Sequence, residues 1–385
     1  MSTLDKSTVF LSIKDEVYRI PALFYDRDQN TLLAFAEKRR TSNDASSEAL
    51  VMKTGTIIKD ESTHAVKIKW SEAKNVVEKK HLNGYRPMNP CPVYDKTTKT
   101  LFLFFICIEG TVSEAWQRFW GINKAHLCYI TTKDAGETWS EVTDLTDKLP
   151  QMKKWAAFAV GPGHGLQTES GRLIVPAYGY GSCSCSSSCF CIYCFCAISR
   201  AICLYSDDKG VTWQFSSMLE EKSVECEMAE VCDNKENRYI YCNARNEGGY
   251  RVEAVSDSNG EDFIVLPSAG KLVETGYGCQ GSVVSFPAQT GAADSSQDPR
   301  WLLYTHPTSQ SKRVDLGVYL SKCPLDSHAW SEPWIMNPGP SGYSELAYLG
   351  DGWFACLMEC GEKSEIEQIA STVFSYKHVS QGTGS

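Results

Sequence analysis

Apolar positions along this chain come in short runs, and polar or glycine-rich gaps separate nearly all of them. TLLAFAEKR (31–39), TLFLFFICI (100–108), AHLCYITT (125–132), GRLIVPAYGY (171–180), YIYCNAR (239–245) and GWFACLME (352–359) are examples, rich in Val, Ile, Phe, Tyr and Thr. Runs of this kind, bounded by Gly, Asn, Asp, Ser or Pro, predict strands. Leu101 to Ile108 predicts a buried strand. Helical periodicity is hard to find before the acidic stretch Glu362 to Gln368. Many short strands predict an all-β fold: a sandwich, a barrel or a propeller.

An internal repeat selects among these. Thr132-Lys-Asp134-Ala-Gly136-Glu-Thr138-Trp139 matches Ser206-Asp-Asp208-Lys-Gly210-Val-Thr212-Trp213, and Ser256-Asp-Ser258-Asn-Gly260-Glu-Asp262-Phe263 is a weaker copy. Each follows a strand-like run, so each predicts a β-hairpin turn. The Asp accepts hydrogen bonds across the turn, the Gly takes positive φ and the aromatic packs beneath. Such spacing suits one hairpin per four-stranded blade. Six blades of about 64 residues would fill the chain. The expectation is therefore an all-β, six-bladed β-propeller forming one domain over residues 1–385. A Cys-rich insertion loop at residues 181–204 lies within it.

Composition adds limits. The chain has 385 residues and a formal charge of −9, which argues against a nucleic-acid partner, because neutralising phosphates needs clustered Lys and Arg. No run approaches the roughly 18–20 apolar residues of a spanning helix. The N-terminal residues lack the apolar core of a secretory signal, and Asn-x-Ser/Thr sequons are absent. The expectation is a chain on the cytosolic side, cytosolic or peripherally membrane-associated.

With those turns in view, Tyr18-Arg19-Ile20-Pro21 acquires meaning. Together with FAEKR (35–39), MNPCP (88–92), FAVGPGHG (158–165), GCQGSVVSF (278–286) and DLGVYL (315–320), it resembles the sialidase (exo-α-neuraminidase) family. The similarity runs from about residue 16 to about residue 372, and is nearest to the ganglioside-type membrane-associated sialidase, then the cytosolic one. The resemblance implies a six-bladed propeller that removes terminal sialic acid with retention. Its substrates would be sialylated glycolipids (gangliosides) and other sialylated glycans. Two rival functions share much of the pattern: a non-catalytic sialic-acid-binding propeller and a trans-sialidase-like transglycosylase.

The implied residues make chemical sense. A carboxylate on the anomeric carbon calls for planar, permanently charged donors, and the family's three arginines map onto Arg19, Arg245 and Arg313. The nucleophile maps onto Tyr343, sialidases being the tyrosine exception among retaining glycosidases. A phenol with pKa near 10 needs a base. Glu225 matches that partner, with Glu230 second and Glu227 nearby. The acid/base maps onto Asp44, in a polar segment read as a mobile loop, with Glu48 as the fallback. Further pocket positions are Arg39, Met88, Asn89, Glu114, Tyr178 and Tyr180.

Cysteine is abundant, 17 residues, and seven crowd into Cys183, Cys185, Cys189, Cys191, Cys194, Cys196 and Cys203. The favoured reading of that loop is a peripheral membrane contact suited to S-palmitoylation. His164 and His306 lack the mutual spacing of metal ligands. Neither metal nor cofactor is expected.

Overall fold

The computed structural model describes residues 4–59, 66–181, 197–233, 235–288 and 299–384. The N-terminal strand β1 (Lys6–Leu11) pairs only with the end of the chain. The first sheet joins β2 (Val17–Asp26), β3 (Thr31–Arg39), β4 (Ser47–Lys59) and β5 (Val66–Trp70), with β6 (Lys74–Glu78) also on β4. The second joins β7 (Tyr85–Asp95), β8 (Thr100–Glu109), β9 (Ala125–Thr132) and β10 (Thr143–Asp144). The third holds β11 (Trp155–Val160), β12 (Leu166–Gln167), β13 (Leu173–Gly181), β14 (Ile198–Ser206) and β15 (Gln214–Phe215). The fourth holds β16 (Cys226–Cys232), β17 (Arg238–Ala244), β18 (Val252–Ser256) and β19 (Ile264–Val265). The fifth is seven-stranded: β20 (Ser282–Pro287), β21 (Arg300–Pro307), β22 (Val314–Ser321), β23 (Trp334–Gly350), β24 (Trp353–Cys360), β25 (Gln368–Ser375) and then β1. All pairings between these strands are antiparallel.

The architecture is all-β and β-propeller-like, because the sheets close into a ring. β2 touches β7, β7 touches β13, β13 touches β16, β16 touches β20, β20 touches β23, and β23 returns to β2. Apolar clusters fill the spaces between neighbouring sheets. β1 zips onto β25, so the start of the chain supplies the edge of the last sheet. The hydrogen-bonded sheets number five among the described residues, not six. The reason is β23, whose first half pairs with β22 up to Pro340 while its second half pairs with β24 from Ser341.

β8 is buried at every position but its last, as its run of apolar residues predicts. The stretch Glu362 to Gln368 is a turn entering β25, not a helix. The helices lie elsewhere: α1 (Glu114–Trp120) and α2 (Tyr376–Thr383). Ser113 caps α1 by accepting from the Trp116 N–H, and Gly121 ends it at φ +65°.

The three repeated segments are the hairpin turns β9–β10, β14–β15 and β18–β19. Asp134 accepts from Thr132 Oγ1 at 2.7 Å, Thr138 N at 2.9 Å and Thr138 Oγ1 at 2.5 Å. Hydrogen bonding from Thr138 holds its carboxyl down at about 2. Asp208 repeats the pattern with Ser206 and Thr212. Gly210 has φ +88°, and a Cβ there would lie 2.4 Å from the Phe102 ring of the neighbouring sheet. Gly210→Ala is expected to destabilise the protein by about 1–3 kcal/mol, read as a lower urea midpoint. An unchanged midpoint would mean that the turn does not abut the next sheet.

Eleven cysteines among the described residues are free thiols, ten of them buried. Most of the Cys-rich segment lies outside the described residues, but its ends do not. Gly181 ends β13, and Ile198 begins β14, which carries Cys203 fully buried with its thiol on the Gly260 carbonyl. The loop boundary of 181–204 is thus too wide. β14 is buried on both faces from Ala201 onward, which places Cys203 in the core, so it offers nothing to a membrane surface.

Candidate active site

One cavity of about 500 Å³ gathers all twelve predicted site residues: Arg19, Arg39, Asp44, Met88, Asn89, Glu114, Tyr178, Tyr180, Glu225, Arg245, Arg313 and Tyr343. Ten of them lie on strands or directly beside them, with every sheet contributing, while Asp44 lies on a 3-10 turn and Glu114 on α1. Arg19 lies on β2, Arg39 ends β3, Met88 and Asn89 lie on β7, Tyr178 and Tyr180 on β13, and Tyr343 on β23. Glu225 directly precedes β16, Arg245 directly follows β17, and Arg313 directly precedes β22.

The strands are bent where they reach the cavity. Pairing registers shift between Arg19 and Ala22, Met88 and Cys91, Val314 and Leu316, and Ser341 and Ser344. These are β-bulges, which re-aim side chains. Ile20, Asn89 and Asp315 take φ of +60°, +57° and +58° at three of them. Asn tolerates this conformation, but for β-branched Ile20 it costs about 1–3 kcal/mol. The Glu359 carboxylate offsets that cost by accepting the Ile20 N–H at 2.9 Å.

Tyr343 and Glu225 form the centre. The phenol donates to Glu225 Oε1 at 2.6 Å. Arg245 Nη1 bridges the pair, 2.7 Å from Glu225 Oε2 and 3.0 Å from the phenol oxygen. Burial first, then the Glu225 charge, push the Tyr343 pKa well above 10, against the pull of Arg245 and Arg313. The tyrosine therefore rests as a neutral phenol with its proton aimed at a carboxylate.

Two more guanidinium groups flank the ring. Arg313 lies 5.3 Å and Arg19 5.7 Å from its centroid. Arg19 gives Nε and Nη2 to Glu359, at 2.6 and 3.2 Å, and Glu359 also accepts the Tyr343 N–H at 3.2 Å. Burial alone would lower the Arg19 pKa, but Glu359 outweighs it and holds the guanidinium charged. Arg313 Nη2 donates to the Gly278 carbonyl and Arg245 Nη2 to the Tyr277 carbonyl. That loop is tied by buried Glu274, which accepts from Thr275 N, Cys279 N, Asn246 N and Arg251.

On the opposite wall, Arg39 donates to Glu37 at 2.7 Å and to Asp44 at 2.6 Å. Glu37 also takes the Asn89 N–H at 2.7 Å, so one buried carboxylate fixes two pocket residues. Asp44 begins a 3-10 turn (Asp44–Ser46) and is 73% exposed. Tyr180 and Tyr178 donate to Glu114 at 2.7 and 3.3 Å, at the start of α1. The alternatives face elsewhere. Glu48 pairs with Arg40, Glu230 accepts from Glu169 N, and Glu227 accepts from Gln280 and Val283 N.

A family model described as a BNR repeat-like domain matches residues 30–356. Sialidase-3 of Homo sapiens is 43% identical over 393 residues, covering 94% of this chain and 90% of the relative. Sialidase-2 of Cricetulus griseus is 44% identical over 379 residues, covering 96% of each. The chain belongs to the vertebrate sialidase family. As a sialidase (neuraminidase) it is a glycoside hydrolase. Solved structures agree on the fold. Trypanosoma rangeli sialidase matches with TM-score 0.73 at 16% identity, over 98% of this chain and 61% of that one. The intramolecular trans-sialidase from Ruminococcus gnavus matches with TM-score 0.72 at 16% identity, over 97% and 98%.

Sequence reasoning missed the carboxylates behind the arginines of this sialidase: Glu37, Glu274 and Glu359. It also missed Arg86, Gln117, Arg118 and Glu247 on the cavity wall. A signal existed for two of them. Glu37 in LLAFAEKR and Glu359 in WFACLMEC are charges inside apolar strand runs, and a buried charge requires a partner.

Proposed function

We propose that this sialidase is a retaining exo-α-sialidase acting on terminal sialic acid, with Tyr343 as nucleophile, Glu225 as its base and Asp44 as acid/base. The observation that carries this reading is the 2.6 Å hydrogen bond from a buried phenol to a carboxylate, ringed by three arginines. Arg19, Arg245 and Arg313 bind the substrate carboxylate. Among the described residues, Arg19 Nη1 and Arg313 Nη1 have no hydrogen-bond partner, which suits an incoming anion. A neutral nucleophile fits an anionic anomeric centre that would repel a carboxylate.

In the first step the Tyr343 oxygen bonds to the anomeric carbon as its proton passes to Glu225. The bond to the leaving oxygen breaks and Asp44 supplies that oxygen's proton. In the second step Asp44 takes a proton from water, whose oxygen attacks the same carbon. The bond to Tyr343 breaks and Glu225 returns the phenol proton. Two inversions give net retention. Arg39 and Asn89 meet the ring substituents, Met88 the N-acetyl methyl, and Glu114, Tyr178 and Tyr180 the glycerol side.

A glycolipid substrate is supported by α1. Its Ser113, Glu114, Gln117 and Arg118 line the cavity, while Trp116, Phe119, Trp120 and Ile122 stand exposed beside them. Such an apolar rim suits a sugar presented at a lipid surface. A cytosolic-side location is supported by the free thiols, and no helix among the described residues is long and apolar enough to cross a membrane. A single domain of six blades follows if the seven-stranded sheet is counted as two blades divided at Pro340–Ser341. The membrane contact assigned to residues 183–203 falls mostly outside the described residues.

The test is hydrolysis of a fluorogenic sialoside and of a ganglioside in vesicles, with NMR of the first product. Release of the α-anomer from both is expected. Initial β-anomer would remove the double displacement, binding without turnover would select a lectin, and transfer to an added sugar in place of water would select a transglycosylase.

A further inference from the structure

Behind the catalytic cavity, three sheets bring together a group of side chains that the sialidase reading leaves unused. His164 sits on the turn after β11, Glu227 on β16 and Glu345 on β23. His164 Nδ1 is hydrogen-bonded to Glu345 Oε1 and lies 3.5 Å from Glu227 Oε2. One ligand-capable atom from each lies within 4.8 Å of the others. Both carboxylates are fully buried, and Glu345 Oε2 has no hydrogen-bond partner. Gly163 permits the approach. At φ +129°, a Cβ there would lie 1.7 Å from Glu227 Oε1 and 2.9 Å from Glu345 Oε2.

We propose that His164 Nδ1, Glu227 and Glu345 form a zinc site, distinct from the catalytic cavity. Two buried carboxylates beside a single imidazole are a costly arrangement unless a cation or protons compensate them. An imidazole nitrogen and two carboxylate oxygens are a three-ligand set that zinc accepts, with water in the fourth position. Zinc–ligand distances of about 2.0–2.2 Å place tetrahedral ligand atoms about 3.4 Å apart. The His164–Glu227 separation already matches, and the His164–Glu345 hydrogen bond opens to admit the ion. The Gln280 amide and Val283 N–H orient Glu227 from behind.

The imidazole is reachable from outside. A second cavity of about 500 Å³ opens at His164 and shares no lining residue with the catalytic one. Glu169 and Glu230 stand on its wall, though Arg27, Lys96 and Arg300 are there too.

The test uses the full chain, its accessible cysteines alkylated under native conditions, equilibrated with zinc chloride, gel-filtered and assayed for metal. Wild type is expected to retain about one equivalent, and Glu227→Gln, of nearly equal size, about none. Zinc binding should also raise the wild-type melting temperature. Alkylated wild type that retains no zinc, or equal retention by Glu227→Gln, overturns the site. The wild-type arm decides even if the variant misfolds.

Discussion

Tyr343→Phe is expected to lower kcat by about 10³-fold while KM changes little. The substitution removes one oxygen, the atom proposed to bond to the anomeric carbon, and nothing else. The ring that Arg19 and Arg313 flank at 5.7 and 5.3 Å remains, so the grip on the substrate carboxylate persists. Glu225→Gln leaves the phenol in place but removes the acceptor 2.6 Å away, and should cost about 10²–10⁴-fold. Because the two act as a unit, the double variant should be little worse than Tyr343→Phe alone. Steady-state kinetics on a fluorogenic sialoside checks all three proteins. Turnover by Tyr343→Phe within tenfold of wild type would remove the phenol from the mechanism.

The second large effect is expected from Glu359→Gln, a residue proposed to touch no substrate. Its carboxylate holds Arg19 through two hydrogen bonds and accepts the N–H groups of Ile20 and Tyr343. Neutralising it leaves a guanidinium with little water around it, at a cost of about 3 kcal/mol in urea denaturation at pH 7. It also frees Arg19, worth about 1.5–3 kcal/mol to a charged partner, so kcat/KM should fall about 10–100-fold. Burial opposes ionisation of Glu359, but Arg19 and the backbone donors prevail and hold it below its usual 4.5. Its contribution is therefore complete above about pH 4.5 and fades as pH drops through the lower folded value. The stability gap between wild type and variant should narrow between pH 7 and pH 3. A gap of constant size would mean that the carboxylate's charge is not what matters.

Much of the fold was legible because strands and turns are local. The apolar run of β8 and the repeated hairpin turns at Asp134 and Asp208 depend on neighbours a few residues away, so their spacing suffices. The number of separate sheets was not legible, because it hinges on one 17-residue strand changing partners at Pro340, and pairing is not a local property. α1 escaped notice because seven residues hold too little periodicity. Its Ser113 cap and Gly121 stop were the usable marks. The arginines, Tyr343, Glu225 and Asp44 were found through resemblance rather than spacing. Resemblance put Glu225 ahead of Glu230 and Glu227, which composition and spacing alone leave as rivals, and in the structure it is Glu225 that accepts from the phenol. The His164–Glu227–Glu345 group was invisible for a similar reason, since its members are 63 and 118 residues apart.

The bulges have a consequence for how such a protein changes over time. β2, β7 and β23 each keep one pairing register through their apolar bodies and another beyond the kink. An insertion or exchange at the tip is therefore absorbed at the kink instead of sliding the whole strand by one position. Substrate preference can drift by altering tips, while the packed body beneath goes on folding unchanged.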